Sequence, residues 1–270
     1  DQLIKKCVVN ESFASEQLMS YLKSKGYFII LEVTAGSEEA VESSVERVSN
    51  IIKYADMLRI SGIQMVKSFN WAEEVKKVAE SKKIKIDICP SDRLYMATSI
   101  ALQAVMGGVG SVTLTFAGAG VDKGFGAIEE LLAAVQVLSG DSDDLRLRTL
   151  PEAVKHFKKI SGMSIRPTKP VIGKNIFMYE SGIHADGIEK NPETYEPFRP
   201  DMVGQKRQLA IGKHSGSRSV IYKLKEMGIE CRKDEAEKLL RWIREKSIRE
   251  GRNLSGAEVM RLYKKHVKGA

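Results

Sequence analysis

Tyr27-Phe28-Ile29-Ile30-Leu31-Glu32-Val33-Thr34 is followed in the chain by Val41, Val45, Val48, Ile51 and Ile52. The first stretch is an apolar, β-branched run of strand length. The second repeats its apolar side chains every three to four residues around charged positions, the spacing of one helix face. The same alternation continues on both sides. Strands are expected at Cys7–Asn10, Met57–Ser61, Ile84–Cys89 and Ser111–Phe116. Helical spacing covers Ser68–Lys82, and Ser91–Met106 carries a long alanine-rich apolar stripe. Alternating strands and helices imply a parallel sheet with covering helices. Five such units are too few to close an eight-stranded barrel, so the two edge strands need cover. Either the sheet stays open or it finds a partner.

The pattern changes near Gly140. Ser142–Arg148 is polar and mixed in charge, and reads as a linker. Leu150–Ile160 has the spacing of one amphipathic helix, and Pro167, Pro170, Pro192, Pro197 and Pro200 punctuate the turn-rich stretch that follows. Beyond Ser215 helices dominate. Val220, Ile221, Leu224 and Met227 make one apolar face, and two further helices are expected on either side of Gly251–Ser255. The expected organisation is therefore 1–138 as the βα region, 139–200 as a linker with a small subdomain, and 201–270 as a helical subdomain.

The chain has 270 residues, a net charge of +8 and 43% hydrophobic residues, which is ordinary for a globular protein. No apolar run reaches the ~20 residues that span a bilayer, so no membrane role is expected. The basic tail after Arg232 is interrupted by Asp234, Glu235, Glu237, Glu245, Glu250 and Glu258. That mixture is the mark of a solvated helix surface and not of a nucleic-acid site. Cys7, Cys89 and Cys231 form no close pair, and Asp1–Lys6 lacks a signal-peptide layout, so a reducing cytoplasm is expected.

Two segments carry chemistry. Glu180-Ser181-Gly182-Ile183-His184-Ala185-Asp186-Gly187, preceded by Tyr179, leads on to Thr194-Tyr195-Glu196-Pro197-Phe198. A histidine there can move a proton near neutral pH, and a tyrosine can donate a hydrogen bond or relay one. The second segment is Gly212-Lys213-His214-Ser215-Gly216. Its Ser215 is expected to cap a helix whose free amides, with Lys213 and His214, favour an anion.

Taken together and in this order, these segments resemble the region after the barrel in homocitrate and 2-isopropylmalate synthases. The family pattern there is E-S/A-G-I-H-x-D-G, then T-Y-E-P-F, then G-K-H-S-G. The resemblance extends backward through the βα units. It implies an α/β fold, a partial TIM-like (β/α) barrel of about five βα units followed by a mainly helical C-terminal region. It also implies a Claisen-type acyl transfer from acetyl-CoA to a 2-oxo acid. In the homocitrate branch a histidine and a tyrosine eleven residues later share in the proton transfer, which makes His184 and Tyr195 the expected catalytic pair. Glu180, Gly182, Lys213, His214, Ser215 and Gly216 are the expected substrate or acetyl-CoA contacts.

The barrel half departs from the family where a metal should bind. The family's H-x-H-N-D stretch aligns with Cys89-Pro90-Ser91-Asp92-Arg93, and its G-E-R-x-G-N motif with Gly120–Phe125. An Asp-Thr pair that contacts the oxo acid aligns with Gly62-Ile63. Phenylalanine offers no ligand, and serine replaces histidine poorly. This chain is therefore expected to bind no metal and no cofactor of its own. The divalent ion is expected in an alpha-type homocitrate synthase subunit, as in divided enzymes of the family. Acetyl-CoA and 2-oxoglutarate are the implied substrates, and the iron–molybdenum cofactor of nitrogenase the implied destination. A 2-isopropylmalate or citramalate synthase component, or a non-catalytic scaffold subunit, are the alternatives.

Overall fold

The computed structural model describes residues 5–35, 41–63, 70–140, 145–180, 187–188 and 190–269. The chain divides into two compact units, 1–145 and 146–270.

In the first unit β1 (Lys6–Asn10), β2 (Phe28–Thr34), β3 (Met57–Ser61), β4 (Lys85–Cys89) and β5 (Ser111–Val112) form one parallel sheet in chain order. Each strand pairs with the next. Val9, Leu31, Leu58 and Ile86 stand side by side across four strands. Helices α1 (Glu16–Ser24), α2 (Val41–Glu46), α3 (Trp71–Lys82), α4 (Ala97–Met106) and α5 (Ile128–Ser139) follow the strands in turn. Strand order without reversal suits crossovers of one hand that lay every helix on one face. The core agrees with this. Met19 of α1, Val45 of α2, Val75 of α3 and Ile100 of α4 belong to one buried cluster with Leu31, Leu58, Ile60 and Ile88. Each such fully buried side chain contributes about 1.5–3 kcal/mol.

The opposite face of the sheet carries Asn10, Glu32, Arg59 and Asp87 in one register row. Arg59 Nε donates to Asp87 Oδ2 at 2.7 Å, and its Nη2 donates to Thr113 Oγ1 at 3.0 Å. Its Nη1 lies 3.6 Å from Glu32 Oε2. Asp87 is 1% exposed, so the guanidinium balances a carboxylate that water cannot reach.

The strand and helix pattern of the sequence recurs here with three corrections. Ser111–Phe116 is strand only at Ser111–Val112, and Phe116–Gly118 winds into a short 3-10 turn. The stripe at Ser91–Met106 is helical only from Ala97. Asp92 accepts a hydrogen bond from Ala97 N–H at 3.1 Å, and Tyr95 takes a left-handed φ of 57°, which holds the preceding residues in a loop. The helical spacing through Ile52 breaks after Glu46 into turns and the 3-10 turn Ile52–Tyr54. The expected helix start at Ser68 and most of the Ser142–Arg148 linker lie outside the described residues.

In the second unit α6 (Leu150–Ser161) starts with Pro151 in its first turn and stops at Gly162, which adopts a left-handed φ. Strands β6 (Met178–Tyr179) and β7 (Gln208–Leu209) form a parallel pair. Helices α7 (Ser217–Glu226), α8 (Lys233–Glu250) and α9 (Gly256–Tyr263) pack around Val220, Leu224, Leu239, Ile243 and Val259, all fully buried. The loop between α8 and α9 ends in a capping box, in which Ser255 and Glu258 satisfy each other's backbone N–H. No described helix is long and apolar enough to cross a membrane.

Candidate functional site

Two places in the chain answer to the chemistry of the motifs. The first is at the ends of β4 and β5. Here the loop 89–93 meets the loop 120–125. Ser91 forms an antiparallel bridge with Phe125, and Asp92 N–H donates to Gly124 O at 2.9 Å. Gly124 holds a φ of +80°, and a Cβ there would sit 2.1 Å from Gly118 O. The fold thus brings together the two segments aligned with the family's metal motifs.

The residues present do not fit a divalent cation. Burial pushes the Cys89 thiol up to about 11, so it stays protonated near neutral pH. The Asp92 carboxylate serves the start of α4, Arg93 pairs with Asp122 at 2.8 Å, and the Phe125 ring lies against Gly120. Among the described residues no group of three or more His, Cys, Asp and Glu side chains could hold a metal ion.

The second place is in the unit 146–270. Glu180 directly follows β6, and the pairing of β6 with β7 carries it to the turn 212–215. Its Oε1 accepts from His214 N–H at 2.7 Å. Gly212 N–H donates to Ser215 Oγ at 2.9 Å, and Arg244 from α8 donates to Ser215 O at 2.9 Å. A Cβ on Gly212 would lie 2.2 Å from Asn253 Oδ1 and 2.8 Å from Glu180 Oε1. A side chain here would have to displace those polar ends, and the glycine is itself buried. Lys213 and His214 are exposed on the same turn.

The structure thus joins Glu180, Lys213, His214, Ser215 and Gly216, which the sequence placed in two separate motifs. It also corrects the expected cap. Ser215 is fully buried, and its hydroxyl oxygen closes the 212–215 turn. The N-cap of α7 is Gly216, without a side-chain bond. His184 and Gly182 lie outside the described residues.

Tyr195 ends the 3-10 turn Pro192–Thr194, which Asn191 opens by accepting from Glu193 N–H at 3.2 Å. Its ring edge lies against Gly187, where a Cβ would be 2.4 Å from Cε2. Tyr195 is 44% exposed and shares the wall of one cavity with Tyr179, the neighbour of Glu180. Burial raises the Tyr179 phenol above its ordinary value. Beside them Arg207 holds Glu196 through two bonds of 2.7 Å. Arg207, Arg244 and Asn253 were not found from the sequence, because no motif or helical spacing ties them to the residues they touch.

A family model described as homocitrate synthase post-HMGL domain-like matches residues 171–250. The chain is 32% identical over 244 residues to the homocitrate synthase omega subunit of Clostridium pasteurianum, covering 90% of this chain and 68% of that protein. The chain belongs to the homocitrate synthase family. Homocitrate synthase 1 of a Nostoc species is 32% identical over 240 residues, covering 87% of this chain and 64% of the relative. A 2-isopropylmalate synthase 2 of Caldanaerobacter subterraneus is 37% identical over 210 residues, with 77% and 55% covered. This family member thus spans between about half and two thirds of the length of those relatives. The matched 171–250 region includes Glu180, the turn 212–215, Tyr195 and every residue lining the cavity but Pro170.

Proposed function

We propose that this chain is the omega-type subunit of a divided homocitrate synthase, which joins acetyl-CoA to 2-oxoglutarate and releases homocitrate and CoA. One contrast carries the reading. The loops that hold the metal in relatives have turned their side chains to capping, ion pairing and packing, whereas the post-barrel motifs persist. An alpha-type partner supplies the divalent cation, the oxo-acid pocket and a barrel carboxylate. A cation of that kind polarises the carbonyl of the oxo acid. His184 and Tyr195 serve the proton transfers. The acetyl methyl group loses a proton, its carbon bonds to the carbonyl carbon of 2-oxoglutarate, and the new alkoxide is protonated. Water then cleaves the thioester and frees the CoA thiol. Glu180 acts as a positioning residue through His214 N–H, and Lys213 and His214 face the acyl-CoA. The implied use of the product is the iron–molybdenum cofactor of nitrogenase.

The test is reconstitution. The chain alone should make no homocitrate, and mixing with the alpha-type partner and a divalent metal should give activity. His184→Ala in the mixed enzyme should lower turnover by at least ~100-fold while the complex still forms. Full activity of that variant would establish a scaffold subunit instead. The 37% identity to a 2-isopropylmalate synthase keeps 2-oxoisovalerate as the comparison substrate, and turnover of it equal to or above 2-oxoglutarate would overturn the homocitrate assignment.

A further inference from the structure

Cations gather at the end of the parallel sheet where its strands begin. Lys5 and Lys6 open β1, Lys23 and Lys25 close α1, and Lys83 and Lys85 flank the start of β4. The acids near them are Asp56 and Glu80. Asp56 is already engaged, by Lys23 at 2.6 Å and by Ile29 N–H at 2.8 Å. Among the described residues Lys5, Lys6, Lys25, Lys83 and Lys85 enter no ion pair, and all are exposed. Aromatic rings hold three of them instead. Lys5 stands 5.9 Å from the centre of the Tyr27 ring, Lys6 5.4 Å from that of Phe28 and Lys25 5.6 Å from that of Tyr21. A ring steadies an ammonium without cancelling its charge. Lys5 Nζ also donates to Lys25 O at 2.9 Å, which ties the start of β1 to the end of α1. Val8, Ile30, Met57 and Lys85 form one register row, and Lys6 stands two residues before Val8. Strand alternation therefore puts Lys6 and Lys85 on the same face, the one without helices.

The ordinary reasons for surface lysine do not cover this set. Cations at helix C-termini answer the helix dipole, which accounts for Lys25 and Lys83 but not for Lys5, Lys6 or Lys85. Lysine on an edge strand deters pairing with other chains, which accounts for Lys6 on β1, whereas β4 is paired on both sides. A solvated helix surface interleaves its charges, as α8 does in Lys233–Glu237, Arg241–Glu245 and Lys246–Glu250. The strand starts carry cations without such acids. We propose that this end of the sheet docks an acidic surface of another protein. Charge decides the occupant, because lysines held without acids attract carboxylates. A second copy of this chain, itself at +8, is repelled. Every cation of the set is lysine and none is arginine, whose planar fork suits phosphate, so carboxylates are favoured over a nucleic-acid backbone. The proposal does not depend on the reading of the chain as a synthase subunit.

The probe is a short polyglutamate peptide with a fluorescent label, titrated with the full chain at low salt and followed by anisotropy. Binding should appear and should fade as salt rises. Lys6→Glu combined with Lys85→Glu should weaken it about tenfold or more, whereas Lys264→Glu with Lys265→Glu, the same change of charge elsewhere, should shift it by less than about twofold. Absence of binding overturns the proposal. So does an equal loss in both pairs, which marks attraction to net charge alone. A labelled single-stranded oligonucleotide of equal charge that binds more tightly overturns it in favour of nucleic acid. Self-association in sedimentation that the Lys6→Glu, Lys85→Glu pair abolishes gives the face to a second copy instead. Should that pair fail to fold, acetylation of the unaltered chain decides. Polyglutamate should slow acetylation of Lys5, Lys6 and Lys85 more than that of Lys264 and Lys265. Protection of the last two alone, or of none, refutes the site.

Discussion

Gly212 shows how one missing side chain organises a site. Its backbone is approached by Asn253, Glu180 and Ser247, and any Cβ would collide with the first two. Gly212→Ala should cost about 1–3 kcal/mol by overpacking and should break the bond from His214 N–H to Glu180. A shift of the urea midpoint measures the cost, and an unshifted midpoint would contradict the geometry. Cys89 offers a second test at this scale. Its pKa moves from an ordinary 9.0 to about 11, so the folded state keeps its proton longer than the unfolded state does. The stability tied to this thiol is complete below the unfolded value of 9.0 and fades as pH rises towards the folded one. At pH 8, in a chain with Cys7 and Cys231 replaced by serine, Cys89 should react with a disulfide reagent on the order of 100-fold more slowly folded than unfolded. Equal rates would show an accessible thiolate.

At the scale of elements, the sheet has two unlike faces. The helix-covered face is held by apolar burial, whereas the other relies on Arg59 to balance Asp87 and Glu32. Removing the cation leaves a buried carboxylate with no counter-charge. Arg59→Met should therefore cost about 3–5 kcal/mol, and adding Asp87→Asn should recover part of the loss. Equilibrium denaturation of the single and double variants checks both statements. The strands themselves were legible from β-branched runs. At Met57–Ser61 the expectation and the structure coincide, because a short apolar strand flanked by polar residues has no competing helical period. The start of α4 was not legible. Asp92 caps it from five residues away and Tyr95 turns left-handed, and neither choice leaves a trace in the apolar stripe.

For the whole molecule, the loops at the ends of β4 and β5 meet with Asp92, Arg93 and Asp122 engaged in capping and ion pairing and Phe125 in packing. Millimolar Mn²⁺ or Zn²⁺ should accordingly leave the unfolding temperature of this chain unchanged, since only an ion bound to the folded state raises it. A rise with metal concentration would reverse the division of labour proposed between this chain and its partner.

The sequence alone determined the alternation of strands and helices, the apolar face of α7 and the motifs that mark the family. Each is written within a few turns of backbone, where periodicity and spacing act locally. Only the tertiary structure decided that Glu180 would clasp a turn 34 residues away, that Arg59 would reach Thr113 54 residues on, and that Arg207 would neutralise Glu196 at a cavity wall. Those contacts depend on how separate elements pack, and no local pattern of residues encodes the distance between them.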